Sequence, residues 1–212
     1  MPFAVQADAI RVALLNKYGG VWIDTDTIIL NGEFIKDCKN YELTIIRDTN
    51  SSYFYIGFIF ASKYSSLLNE WIKDIIYRVK IYKLYLLDKK NNIWEKMKNN
   101  FNSVRYLGND IFNFLIKNKT FKTNELSHLD SDKINAFPER KSYNDHTLKF
   151  CIKQYKNFYF TKGDPKIVLN NSKSIILLHN SWTPSKYKNM TEDEFLKQDI
   201  LLSKLLDQIL KL

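Results

Sequence analysis

The segment that most constrains this chain is NKYGGVWIDTDTIIL, residues 16–30. Upstream of it, QADAIRVALLNKY brings back apolar residues at helical spacing, with Ile10, Ala13 and Leu14 as the repeating positions. Asp8 falls in the first turn of that predicted helix, where the dipole favours an acid. Gly19 follows the last periodic residue and suits a left-handed cap. VWIDTDTIIL then reads as a strand interrupted at its aspartates. A helix that stops at Tyr18-Gly19-Gly20 and turns at once into a strand has to pack back beside it. Asp24 and Asp26 sit inside this otherwise apolar run, and carboxylates are rarely buried without a partner. Either the strand ends there and the pair faces solvent, or the pair meets a cation or a reacting group.

Downstream, Asn31-Gly32 signals a turn. YELTIIR (41–47) and YFYIGFIFA (53–61) are strand-like, rich in β-branched and aromatic residues. Helical patterns follow from Ser65 to about Leu87, near 92–99 and over 109–118. Asp110 in LGND is expected as a helix N-cap. KSIILLHN (173–180) reads as a strand ending in polar residues. TEDEFLKQDILLSKLLDQILKL reads as a C-terminal amphipathic helix opened by a Thr191/Glu194 capping box. Strands alternating with helices, with no linker or repeat, predict one α/β domain over 1–190 followed by that helix over 191–212.

The 212 residues are 45% hydrophobic, enough for a real core. The net charge is +9. Its lysines are spread along the chain rather than clustered, as in an ordinary lysine-rich surface, and no nucleic-acid motif accompanies them; a basic balance also suits an anionic ligand. Cys38 and Cys151 lack metal-ligand spacing and are expected as free thiols in a reducing compartment. MPFAVQADAIR lacks a basic stretch followed by an apolar one, and no run of about 18 apolar residues occurs, so neither a signal peptide nor a membrane span is expected. The expected location is cytoplasmic. The C-terminal helix either packs on the domain or lies peripherally on the inner face of the membrane.

Strand alternation places Trp22, Asp24 and Asp26 on one face. Two close carboxylates repel unless a cation sits beside them, and oxygen ligands of this kind suit Mn²⁺ or Mg²⁺. Asp8 and Arg11, three apart, share a helix face. All five residues are therefore expected around one pocket. The plainer alternatives are an exposed turn for Asp24 and Asp26 and a surface ion pair for Asp8 and Arg11.

ADAIRVALLNKYGGVWIDTDTIIL resembles the signature of the DxD glycosyltransferases with a GT-A type fold. The resemblance is to the sugar-binding region containing the DXD motif, the Och-type mannosyltransferases and the capsular polysaccharide synthesis proteins. Asp8, Arg11, Leu15, Tyr18, Gly19, Gly20, Asp24 and Asp26 fall in register with that pattern, and Trp22 stands where the family has Tyr or Trp. The resemblance implies a hexosyltransferase that retains anomeric configuration and moves a hexose from a UDP- or GDP-sugar to a glycan acceptor. Asp26 would bind the metal directly, and Asp24 would contact the ribose or the metal through water. Asp8 and Arg11 would hold hydroxyls of the donor sugar, with Trp22 packed near the nucleotide. LLHNSWTP (178–185) resembles the C-terminal element that closes over metal and phosphates. It implies His179 as a metal ligand and Asn180, Ser181 and Trp182 as donor contacts. INAFPER (134–140) resembles a late family strand.

Two departures stand out. The Asn that many relatives carry near Gly57 is absent. Relatives also carry a long segment before this helix, holding the first nucleotide-binding strand. Here seven residues precede Asp8, so the resemblance implies a mixed sheet lacking that strand, and a non-catalytic remnant that only binds is the second reading. A third is a haloacid dehalogenase-like phosphatase, whose first motif VWIDTDT would satisfy, with Asp24 as nucleophile and Asp26 as general acid/base. It leaves Asp8, Arg11 and the glycines unexplained, and its later acidic pair is missing.

Overall fold

The computed structural model describes residues 1–47, 54–90, 92–94, 97–101, 103, 105–118, 122, 124–135, 148–170 and 174–211. The fold is mixed α/β, with parallel and antiparallel pairing and flanking helices, and is compatible with the expected GT-A-like class. The chain forms two compact units.

The first unit comprises Met1–Asp24, Ile35–Arg47 and Tyr53–Leu129. It contains helix α1 (Phe3–Tyr18), strand β1 (Gly20–Ile23), α2 (Phe34–Cys38), β3 (Leu43–Arg47), β4 (Phe54–Ala61), α3 (Ser66–Leu87), α4 (Lys98–Phe101), α5 (Asn109–Asn118) and β5 (Leu126–Asp130). The second holds β2 (Thr27–Ile29), α6 (Ser131–Ile134), α7 (Leu148–Tyr159), α8 (Lys166–Leu169), β6 (Ile175–Leu177), α9 (Ser185–Lys188), α10 (Glu192–Leu196) and α11 (Leu201–Ile209).

In the first unit a four-stranded sheet runs in the order β1-β4-β3-β5. Its core joins Val5, Val12 and Leu15 of α1 with Leu43, Ile45, Ile59, Leu67, Trp71, Ile111 and Phe112. Helix α1 shows why pattern alone misreads it. Ile10 and Leu14, the expected stripe, are 53% and 43% exposed. The inward face is Val5, Asp8, Arg11, Val12 and Leu15. Two charged residues stand where an apolar stripe would continue, so hydrophobicity selects the wrong side. The helix also begins at Phe3, which puts Asp8 beyond the first turn, where the dipole argument no longer applies.

The α1–β1 turn depends on Gly19, whose backbone (φ 68°, ψ −166°) lies in a region essentially reserved for glycine. Its N–H closes on the Leu15 carbonyl at 2.7 Å. A Cβ there would also lie 2.9 Å from the Lys63 backbone nitrogen. Gly19→Ala is expected to cost about 2 kcal/mol and to lower the thermal midpoint by roughly 4–8 °C. Circular dichroism melting checks this; an unchanged midpoint would refute the assignment of strain to this turn.

Strand β4 pairs antiparallel with both neighbours, but its register with β3 jumps from Ile45↔Ile59 to Ile46↔Tyr55. Ile56, Gly57 and Phe58 therefore bulge out of the β3 ladder. Such a bulge turns backbone groups away from their strand partner and re-aims them.

In the second unit β2 and β6 pair antiparallel, with Thr27 opposite Leu177. A parallel bridge joins Asn135 to Ile175. The core is built from Tyr155, Tyr159, Phe160, Ile176, Tyr187, Leu201, Leu202 and Leu205. The expected single C-terminal helix is two helices, α10 and α11. The Thr191/Glu194 capping box opens the first, both of its bonds being present. Between them Ile200 is extended, the Ser203 hydroxyl donates to the carbonyls of Gln198 and Ile200, and Leu201 N–H donates to the Thr161 carbonyl. These local bonds compete with a continuous helix. Leu201, Leu202 and Leu205 are buried, so the apolar face of α11 packs on its own unit.

Cys38 and Cys151 are both buried, and neither forms a disulfide. Asp110 is not the cap of α5. It lies in the first turn and pairs with Arg105 at 3.3 Å. In INAFPER, Ile134 ends α6 and Asn135 makes the bridge; residues 136–140 lie outside the described residues. No described helix is long and apolar enough to cross a membrane.

Candidate functional site

Strand β1 ends at Ile23, and a turn at Thr25 and Asp26 separates it from β2. The alternation that was expected to align Trp22, Asp24 and Asp26 therefore holds only for the first two. The boundary between the two units falls between Asp24 and Thr25, inside the motif.

Four expected residues converge in the first unit. Arg11 Nη2 lies 3.4 Å from Asp8 Oδ1 and 3.1 Å from Asp24 Oδ1. The Trp22 indole N–H donates to the same Asp24 oxygen at 2.7 Å. Arg11 also sits 5.2 Å from the centre of the Trp22 ring. Its Nη1 donates to the carbonyl of Ile56, one of the residues displaced by the β4 bulge. The bulge thus supplies the acceptor that a regular ladder would have used. Arg11 Nε is buried and has no acceptor among the described residues. A buried donor left unsatisfied is costly and calls for an explanation of the kind a binding site provides.

Two glycines make room for the acids, and neither was picked out by sequence reasoning for this role. A Cβ at Gly108 would clash with the Asp8 carboxylate and Ile56, and one at Gly57 would meet Tyr55 and lie 2.7 Å from Asp24 Oδ2. Asp24 is further anchored by its own N–H, which donates to the Gly57 carbonyl at 2.7 Å.

The electrostatics are uneven. One arginine serves two acids. Asp8 is buried, and desolvation pushes its carboxyl from 3.8 up to about 7, against the pull of Arg11 and aided by the negative charge of Asp24. Near neutrality Asp8 is therefore divided between its acid and its carboxylate, a state able to donate as well as accept hydrogen bonds. Asp24 is partly exposed, and its Oδ1 takes the contacts from both Arg11 and Trp22.

The remaining expected residues lie in the second unit. The Asp26 carbonyl accepts from Leu178 N–H at 2.8 Å, which ties the motif to the end of β6. His179 and Trp182 lie with ring centres 4.0 Å apart and planes tilted by 32°. Tyr155 meets both rings edge-on, and its hydroxyl accepts from the His179 N–H at 3.0 Å. Burial, and more weakly the charge of Asp26, raises the Tyr155 hydroxyl above its ordinary value. The His179 carbonyl receives the N–H groups of Trp182 and Thr183 and the Thr183 hydroxyl. Asn180 and Ser181 are exposed in the short 3₁₀ turn that follows.

Tyr155 is the residue that sequence reasoning missed here. Its signal was present: Cys151, Tyr155 and Tyr159 recur at intervals of four and are all buried in α7.

Among the described residues no group of three His, Cys, Asp or Glu is gathered as a metal cage. The chemistry of the donors nevertheless fits a hard divalent ion, since the motif offers two carboxylates with one residue between them, and among the described residues the second oxygen of Asp24 accepts no hydrogen bond.

Residues 1–32 match the family described as the glycosyltransferase sugar-binding region containing the DXD motif. The match spans α1, the Gly-Gly turn, β1 and both aspartates. No curated protein matches the chain.

Proposed function

We propose that this chain is a glycosyltransferase that takes a hexose from a UDP- or GDP-sugar and passes it to a glycan acceptor with retention of configuration. The observation that carries this reading is the Asp8–Arg11–Asp24–Trp22 cluster, lying wholly within the segment similar to a sugar-binding family. Arg11 and Trp22 hold Asp24 from two sides, so its carboxylate is pre-oriented toward a ligand. Asp8 and Arg11 would receive donor-sugar hydroxyls. His179, Asn180, Ser181 and Trp182 would contact the diphosphate.

Asp26 and Asp24, with His179, would hold Mn²⁺ or Mg²⁺. Bound there, the ion would supply neutralisation of the leaving nucleoside diphosphate. The setting implied by the resemblance is cell-surface or capsular polysaccharide synthesis in the cytoplasm. The phosphatase reading gives no role to Asp8, to Arg11 or to the Gly19-Gly20 turn, all of which the cluster and its supporting turn use. The remaining alternative is a binding module without turnover.

The test is release of nucleotide from a panel of UDP- and GDP-sugars, with Mn²⁺ and with EDTA. Metal-dependent release is expected from wild type, and Asp26→Ala is expected to fall to the EDTA background while keeping the wild-type circular dichroism spectrum. Folded wild-type protein that binds a sugar nucleotide without releasing it would point to the binding module instead.

A further inference from the structure

Of the two alternatives for the C-terminal helix, α11 takes packing on its own unit. A different helix presents a surface of the membrane-facing kind. In α3, Leu67, Leu68, Trp71 and Ile75 enter the core of the first unit. The C-terminal half is backed by Tyr82 and Tyr85, which meet Phe101 at ring-centre distances of 5.6 and 4.7 Å. The opposite side is bare. Ile76, Tyr77, Leu84 and Leu87 are 50%, 64%, 50% and 76% exposed. Every exposed residue of α3 between Lys73 and Leu87 is lysine, tyrosine or aliphatic, and none is acidic. Just past the helix, Asp88, Lys89 and Lys90 are exposed, two cations to one acid.

We infer that this outer face of α3 docks on an anionic lipid bilayer surface. Positions 76, 80, 83, 84 and 87 fall within one stripe at 3.6 residues per turn, so the apolar side chains and the ammonium groups share a face. That interleaving fits a helix lying in the plane of an interface. Aliphatic side chains enter the acyl boundary while lysine stems cover apolar surface and lift their charges to the phosphates. A protein partner fits less well, because the buried centres of protein interfaces are depleted in lysine. Complementarity of charge selects the anionic surface: the face carries lysines alone as charged groups, on a chain of net charge +9. The inference does not depend on the transferase reading.

The experiment is co-sedimentation of the full chain with vesicles of phosphatidylcholine alone and of phosphatidylcholine mixed with phosphatidylglycerol. Wild type is expected to sediment with the mixed vesicles and only weakly with the neutral ones. Lys80→Glu with Lys83→Glu is expected to weaken binding by about tenfold or more. Ile76→Ser with Leu87→Ser is expected to weaken it by about tenfold. Lys188→Glu with Lys197→Glu, exposed lysines elsewhere, makes the same change in net charge and is expected to leave binding within about twofold. Failure to bind, equal binding to neutral vesicles, or equal loss in the Lys188/Lys197 variant would overturn the inference. So would an unaffected Ile76/Leu87 variant, or a dimer in the absence of vesicles that Leu87→Ser dissolves, since that would assign the face to a second copy.

Discussion

Replacing Arg11 by alanine is expected to destabilise the protein by about 3–4 kcal/mol, one of the two largest effects anticipated for a single substitution here. Arg11 is buried and bonds to three groups: Asp8, Asp24 and the Ile56 carbonyl. Removing one partner of a buried ionic network generally costs 3–5 kcal/mol, because the other charges stay behind without compensation. Two features hold the figure to the lower part of that range. Asp8 can take up a proton, and Asp24 keeps the Trp22 indole and partial contact with water. The Ile56 carbonyl has no such recourse, because the β4 bulge has taken it out of the β3 ladder. Arg11→Lys retains charge but not the fork, and is expected to lose about half as much. Urea denaturation of the three proteins at pH 7 decides this; a loss below about 1 kcal/mol in Arg11→Ala would show that the network does not hold the sheet and α1 together.

The second large effect concerns pH. Folded Asp8 keeps its proton up to about pH 7, whereas unfolded Asp8 loses it near 3.8. Between those values the folded state binds more protons, so the Asp8 contribution to stability is full below the lower value and declines as pH rises through the higher one. Over about three pH units that amounts to as much as roughly 4 kcal/mol. Asp8→Asn mimics the protonated form and removes the decline. Its stability is expected to match wild type near pH 4 and to exceed it by up to about 4 kcal/mol at pH 8. Parallel stability profiles for the two proteins would mean that Asp8 ionises in the fold as it does in water. The gain in stability would accompany a loss of function if the carboxylate form is what receives the donor sugar, as expected of a site that holds a strained charge.

Much of this was legible in residues 8–26. The spacing of Asp8 and Arg11, the Gly-Gly stop and the interrupted strand predicted a helix folded back on a strand with Asp8, Arg11, Trp22, Asp24 and Asp26 around one pocket, and the first four of these do meet. Three things were hidden for distinct reasons. The inward face of α1 is partly charged, so the periodicity of Ile10, Ala13 and Leu14 marked the solvent side. The Ile56 carbonyl is a backbone group exposed by a register shift, and no side-chain pattern records such a shift. Helix α7 is rich in lysine, tyrosine and phenylalanine, whose aromatic members suit strands as well as helices, and Tyr155 went unnoticed with it. By contrast α3 and α5, long or strongly amphipathic, were located within a residue of their observed limits.

The turn at Gly19 has a consequence for handedness. Inverting its φ of 68° and ψ of −166° gives an extended, polyproline-like conformation that L residues populate freely. The backbone at this one position is therefore the mirror image of an ordinary one. Among the genetically encoded residues only the achiral one can occupy it without strain. What the junction between α1 and β1 selects is the absence of a stereocentre, and no L side chain, however small, can meet that demand.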